Sequence, residues 1–250
     1  MGGALVRIGL VLGVVILGLA VVVGLGYAQL RSNAAADAAV RVPQQLSASA
    51  TAPTTTPGTG TATPRVRVDP AWAQRTAAAT GIPLRALEAY AQAELVLHAE
   101  QPACGIGWNT LAGLGEIESD HGRHGGSALN DAGYPEPPIR GPALDGNGVA
   151  AIPDTDGGRW DGDTRWDHAV GPMQFIPDTW ARWGADGNGD GVADPNQIDD
   201  AALAAARYLC AAGPMTTPAG WRAAIFSYNH LDTYVDDVAA AANRYAAAVS

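Results

Sequence analysis

The stretch "LAGLGEIESDHGRHGG" (residues 111–126) sets two glutamates one residue apart, ahead of a histidine and a run of glycines. Leu111, Leu114 and Ile117 keep helical spacing, so the segment reads as an amphipathic helix. At about 100° per residue Glu118 falls between Leu111 and Leu114 on the apolar stripe, whereas Glu116 points away from it. Asn109 is the expected N-cap and Gly122 the expected terminator. A carboxyl on an apolar face loses hydration of its charged form, and its pKa rises. A general acid working near neutral pH needs that shift. Glu118 is therefore the candidate catalytic residue; the alternative is a glutamate at the edge of the stripe that reaches water. Glu116 is expected to be a solvated surface charge.

Outward from this helix the chain from 69 to 250 reads as mainly helical. "PAWAQRTAAATG" (70–81) and "PLRALEAYAQAELVLHAE" (83–100) each open on proline, which suits a first helical turn. Gly81 ends the first of them. A short helix is expected in "GPMQFIPDTWARWG" (171–184), then helices in "DDAALAAARYLCAAG" (199–213), "GWRAAIFSYNH" (220–230) and "TYVDDVAAAANRYAAAV" (233–249). Residues 123–170 are rich in Gly, Asp and Pro without a sustained period. A segment of that length in a compact domain is usually functional or partly disordered.

Ile8–Leu30 carries no charge and is flanked by Arg7 and Arg31. It is long enough to cross a bilayer, which takes about 20 apolar residues. Residues 1–31 are accordingly read as a signal-anchor, with a cleaved signal peptide as the alternative. Residues 32–68, rich in Ala, Thr and Pro, form an expected disordered linker. The rest would then be exported and face away from the cytoplasm. In that setting the two cysteines, Cys104 and Cys210, read as one disulfide; two free thiols are the alternative. A net charge of −10 argues against nucleic acid as a partner.

"DGNGDGVAD" (186–194) matches the opening of an EF-hand loop. Asp186, Asn188 and Asp190 would offer side-chain oxygens, Val192 its carbonyl, and Gly191 the sharp turn. The twelfth position, a bidentate glutamate in an ordinary EF-hand, is Gln197. His121 and His124 lack a third ligand and are expected on a surface loop.

Three segments in order, "LAGLGEIESDHGRHGG", "AVGPMQFIPDTWARWGADGNGDGVADP" and "SYNHLDTYVDDV", together resemble the lytic murein transglycosylases of the membrane-bound B type, in the exported form found in high-GC Gram-positive bacteria. The resemblance implies a lysozyme-like, mainly α domain at 69–250 that cleaves peptidoglycan glycan strands. It selects the same carboxylate as the helical geometry, Glu118, as a single acid and base. It implies that Gln174, Tyr228, Asn229 and Tyr234 bind substrate, although each could instead be a hydrogen-bonded core residue. It supplies Asp200 as the last ligand of a structural calcium ion, with Asp194 and Asp199 as alternatives, and no cofactor for the chemistry. Asp163 and Asp167 are weaker candidates for charge stabilisation at the cleft. The protein is expected to be a monomer held at the plasma membrane. A water-using muramidase and a non-catalytic peptidoglycan-binding module are the competing functions.

Overall fold

A computed structural model describes residues 67–250. The expected anchor at 1–31 and nearly all of the linker at 32–68 lie outside the described residues. Among the described residues no helix is long and apolar enough to cross a membrane.

Among the described residues are seven α-helices: α1 (Pro70–Thr80), α2 (Leu84–Glu100), α3 (Trp108–Ser119), α4 (Pro177–Trp183), α5 (Ile198–Ala211), α6 (Pro218–Tyr228) and α7 (Asp232–Ala248). One two-stranded antiparallel sheet joins β1 (Ala128–Leu129) to β2 (Pro135–Glu136), with Ala128 opposite Glu136. The mainly α expectation agrees with this architecture.

The helix ends follow local chemistry. Asp69 accepts the amides of Ala71 and Trp72 to start α1, and Gly81 closes it in the left-handed region. Two expected boundaries differ. Asn109 is not the N-cap of α3; that position is Gly107, and the buried Asn109 side chain donates to the Ala242 carbonyl at 3.1 Å. The helix ends at Asp120, in the left-handed region, two residues before Gly122. Residues 171–176 are also not helical. Val170 and Phe175 bond each other's backbones there, and α4 begins at Pro177.

The core is the space between α3 and its neighbours. α7 packs along α3, and α2 lies between α3 and α5. Two glycines on α3 permit this closeness. A Cβ at Gly113 would stand 2.8 Å from the Val238 carbonyl oxygen on α7, and one at Gly115 would collide with the Tyr90 hydroxyl on α2. Leu87, Leu97, Trp108, Leu111, Leu114, Leu209, Trp221 and Val238 fill the interior. The expected disulfide is present, joining Cys104, in the α2–α3 connection, to Cys210 near the end of α5.

The aspartate-rich segment is ordered by its own carboxylates. Asp154 accepts the amides of Asp156, Gly157 and Gly158; Asp156 accepts those of Arg159 and Trp160; Asp163 accepts those of Arg165 and Trp166. Side-chain acceptors of this kind replace the ladder bonds that an irregular segment lacks.

Candidate active site

Glu118 lies in the last turn of α3, partly buried, and the turn after it is unusually constrained. Asp120, His121 and Gly122 take successive positive φ values of 51°, 58° and 82°. The first two are uncommon for residues with side chains, and such strain persists only where surroundings over-determine it. Here Ser119 does so: its buried hydroxyl donates to the Pro172 carbonyl at 2.6 Å and accepts the Gly122 amide at 2.8 Å. The position of Gly122 also excludes a side chain, because a Cβ would meet Leu129 at 2.8 Å. The placing of Ser119 and Gly122 after Glu118 thus has a local physical reason.

Burial pushes the Glu118 carboxyl up to about 7, against the hydrogen bond from Tyr234, which favours the ionised form. Tyr234, near the start of α7, donates its hydroxyl to Oε1. Tyr228, at the end of α6, donates to the Met173 carbonyl at 2.7 Å. Burial first, then the Glu118 charge, raises the pKa of both tyrosines well above the ordinary value. The side chain that bonds the Glu118 carboxyl is therefore a phenol, Tyr234.

The remaining expected substrate residues, Gln174 and Asn229, make no hydrogen bond to Glu118 among the described residues. Gln174 has a positive φ of 50° and turns its amide Nε2 onto the Gly171 carbonyl at 2.8 Å. Its loop is tied to the acid's neighbourhood twice, through Ser119 on Pro172 and Tyr228 on Met173. Asn229 caps α6 with extended backbone and is part-exposed. Asp163 and Asp167 do not present free carboxylates: Asp163 faces His168, and Asp167 is fully buried on the Thr155 amide and hydroxyl.

His121 overturns the surface-loop expectation. It is 1% exposed, with its ring nitrogens facing Tyr90 and Tyr245. Burial lowers its pKa to about 4. Glu116, likewise, is not a bare solvated charge: Arg244 bridges both its oxygens at 2.6 Å and Tyr245 donates to it. His124 is exposed. Position 121 gave no apolar signal, since its burial arises from α2 and α7, which lie far from it in sequence.

In the acidic loop, Asp186 accepts the amides of Gly189, Asp190 and Gly191, and Asp190 accepts that of Val192. Gly189 and Gly191 have φ of 79° and 92°. Asp200 is fully buried and receives the amides of Gly187, Asn188 and Asp194, so it closes the loop from the first turn of α5. Burial and the facing Asp186 charge raise its pKa. Gln197, in the twelfth position, is instead the α5 N-cap, accepting from Asp199 and Asp200. Of the alternatives, Asp199 is turned to an ion pair with Arg85, and Asp194 accepts from Asn196. Asp186, Asn188, Asp190 and Asp200 offer the hard oxygen donors that a divalent cation takes, but the carboxylates of Asp186, Asp190 and Asp200 are taken up here by backbone amides. Among the described residues the tightest carboxylate group lies elsewhere, at Asp154, Asp156 and Asp167.

The transglycosylase SLT domain family matches residues 159–232, a span containing the loop at 171–176 with Gln174 and Phe175 (the QF loop), the acidic loop and the Tyr228–Asn229 pair, while Glu118 precedes it. No curated protein matches the sequence significantly. Among solved structures, the chain is similar to the Escherichia coli lytic transglycosylase Slt35 in complex with bulgecin A, at 14% identity and a TM-score of 0.42, over 72% of this chain and 79% of that one. It is also similar to SltB3 from Pseudomonas aeruginosa in complex with NAG-anhNAM-pentapeptide, at 17% identity and a TM-score of 0.40, over 72% and 67%. The SLT match supports a peptidoglycan lytic transglycosylase.

Proposed function

We propose that this chain cleaves the β-1,4 bond between N-acetylmuramic acid and N-acetylglucosamine in peptidoglycan, leaving 1,6-anhydromuramoyl ends. The observation that carries the reading is Glu118 at the end of α3, its Oε1 held by the Tyr234 hydroxyl beside the loop that Ser119 and Tyr228 tie down; burial raises its pKa to about 7. A pKa near the working pH lets one group both give and take a proton. Glu118 gives its proton to the glycosidic oxygen as the bond breaks. Positive charge then develops at the muramoyl C1. The substrate's own acetamido oxygen would stabilise that charge, as in substrate-assisted glycosidases. The Glu118 carboxylate next removes the proton from the C6 hydroxyl, whose oxygen bonds to C1. No water is consumed, and Glu118 ends protonated as it began. Tyr234 holds Oε1, which leaves Oε2 to face the substrate. Gln174, Tyr228 and Asn229 are the residues that would bind the glycan.

The same reading places the domain outside the plasma membrane, tethered as a monomer by the segment at 1–31. It assigns Asp186, Asn188, Asp190, the Val192 carbonyl and Asp200 to a calcium ion. The ion would supply charge neutralisation to the loop and no chemistry. Isothermal titration should show calcium binding that Asp190→Asn weakens at least tenfold; no heat from the wild type would remove the metal.

Mass spectrometry of muropeptides released from purified peptidoglycan by the full chain tests the reaction. Products one water lighter than hydrolysis products are expected. Reducing ends would make the enzyme a muramidase, and intact glycan with a folded protein would favour a binding module.

A further inference from the structure

His121 lies outside the chemistry described above, yet both its nitrogens are engaged in the interior. Nε2 is 2.9 Å from the Tyr245 hydroxyl and Nδ1 3.3 Å from that of Tyr90. The direction of each bond follows from the far end. Glu116 is an acceptor in an ion pair with Arg244, so Tyr245 must spend its one proton on Glu116. The Tyr245 oxygen can then only accept, and His121 must carry a proton on Nε2. A neutral ring has Nδ1 bare, which takes the Tyr90 proton. The result is a one-way chain from α2 through the α3 terminus to α7. Tyr90 reaches it only because Gly115 has no side chain. The His121 amide also bonds the Gly115 carbonyl at 2.9 Å, tying the ring's anchorage to the final turn of α3.

We propose that His121 is a positioning residue, which in its Nε2–H form holds the turn at 119–122 and thereby sets the Glu118 carboxyl against Tyr234. This rests on the proposed role of Glu118. The ring works because it donates on one side and accepts on the other. Protonation would put a second donor against Tyr90, which has no other acceptor in the chain described. The charged groups facing the ring are Glu116, Asp120 and Arg123 from the α3 end and Arg244 from α7; Tyr90 and Tyr245 complete its surroundings.

Nuclear magnetic resonance on full-length protein with 15N-labelled histidine tests the tautomer, since the chain has five histidines. His121 should show the Nε2–H pattern and stay neutral at pH 5. The Nδ1–H pattern, or an ordinary titration near 6.5, would overturn the proposal. Positioning is tested by His121→Phe and His121→Gln, because a glutamine amide can both donate and accept. His121→Phe should lower kcat about tenfold with KM unchanged and displace the 13C titration of Glu118, and His121→Gln should restore both. If His121→Phe does not fold, Tyr245→Phe cuts the same chain while keeping a ring, with the same expected losses. Unchanged kcat and Glu118 titration in the folded variant would sink the idea. A wild type without lytic activity would defeat the proposed function alone, since the Glu118 titration still reports on positioning.

Discussion

Two glutamates stand at opposite ends of α3, Glu94 buried and Glu118 partly buried, and they differ in what closes around them. Glu94, on α2, is 8% exposed and accepts the Trp108 amide at 2.9 Å, at the start of α3. Glu118 lies at the other end, beside the tyrosines and the loop at 171–174. Burial raises both to about 7. A raised pKa is therefore not what distinguishes the candidate acid. Glu94 meets a backbone donor that every helix N-terminus offers, and the packed residues between α2 and α3 seal it. Glu118 has one oxygen held by a side chain and stands among residues that reach solvent in part. Of the two, only Glu118 is more exposed than a buried side chain.

The widest contrast should come from Glu118→Gln. It removes a proton transfer worth about 10²–10⁴ in rate, so anhydro-muropeptide release should fall roughly a thousandfold while circular dichroism stays unchanged. Equal loss from Glu94→Gln would erase the distinction. Next in size is the tie at the Glu94 end. Cys104 and Cys210 are 106 residues apart, and opening their disulfide should cost about 4–5 kcal/mol on the chain-entropy model. Denaturation of Cys104→Ser with Cys210→Ser against wild type measures it; a change under about 1 kcal/mol would contradict the model.

Glu94→Gln should act on stability alone. The fold favours the protonated carboxyl, so ionisation destabilises progressively as pH rises from about 4.5 through 7, and the penalty is complete above that. Replacing the group should stabilise the protein by about 3 kcal/mol at pH 8 and by little at pH 4.5. Urea melts at the two pH values decide this, and a gain at pH 4.5 equal to that at pH 8 would refute the linkage. The smallest effect belongs to Tyr234→Phe. Loss of a donor to the carboxylate raises the Glu118 pKa further, so the alkaline limb of the pH–rate profile should move to higher pH, by about half a unit. A move to lower pH would mean that Tyr234 favours the acid form.

Much of this was legible in the order of residues. Pro70 and Gly81 bracket α1 by rules that act within a few positions, and the choice of Glu118 over Glu116 needs only the helical repeat. The extent of α4 was not legible, because residues 171–176 look helical until Val170 pairs with Phe175 and Ser119 captures Pro172. Nor was the division of labour between adjacent aspartates: Asp199 turns to Arg85, 114 residues away, and Asp200 turns into the loop.

The sequence by itself determined the helices, the disulfide pair and the carboxyl that lies on an apolar stripe, since capping, cysteine number and period are local or countable. Tertiary structure alone decided that His121 is buried between two phenols, that Gln174 takes a left-handed backbone and that Glu118 meets Tyr234 from 116 residues away. Those outcomes depend on which surfaces α2, α7 and the QF loop present to the end of α3. Such contacts leave no period in the chain, because each joins a residue to partners that only packing brings near.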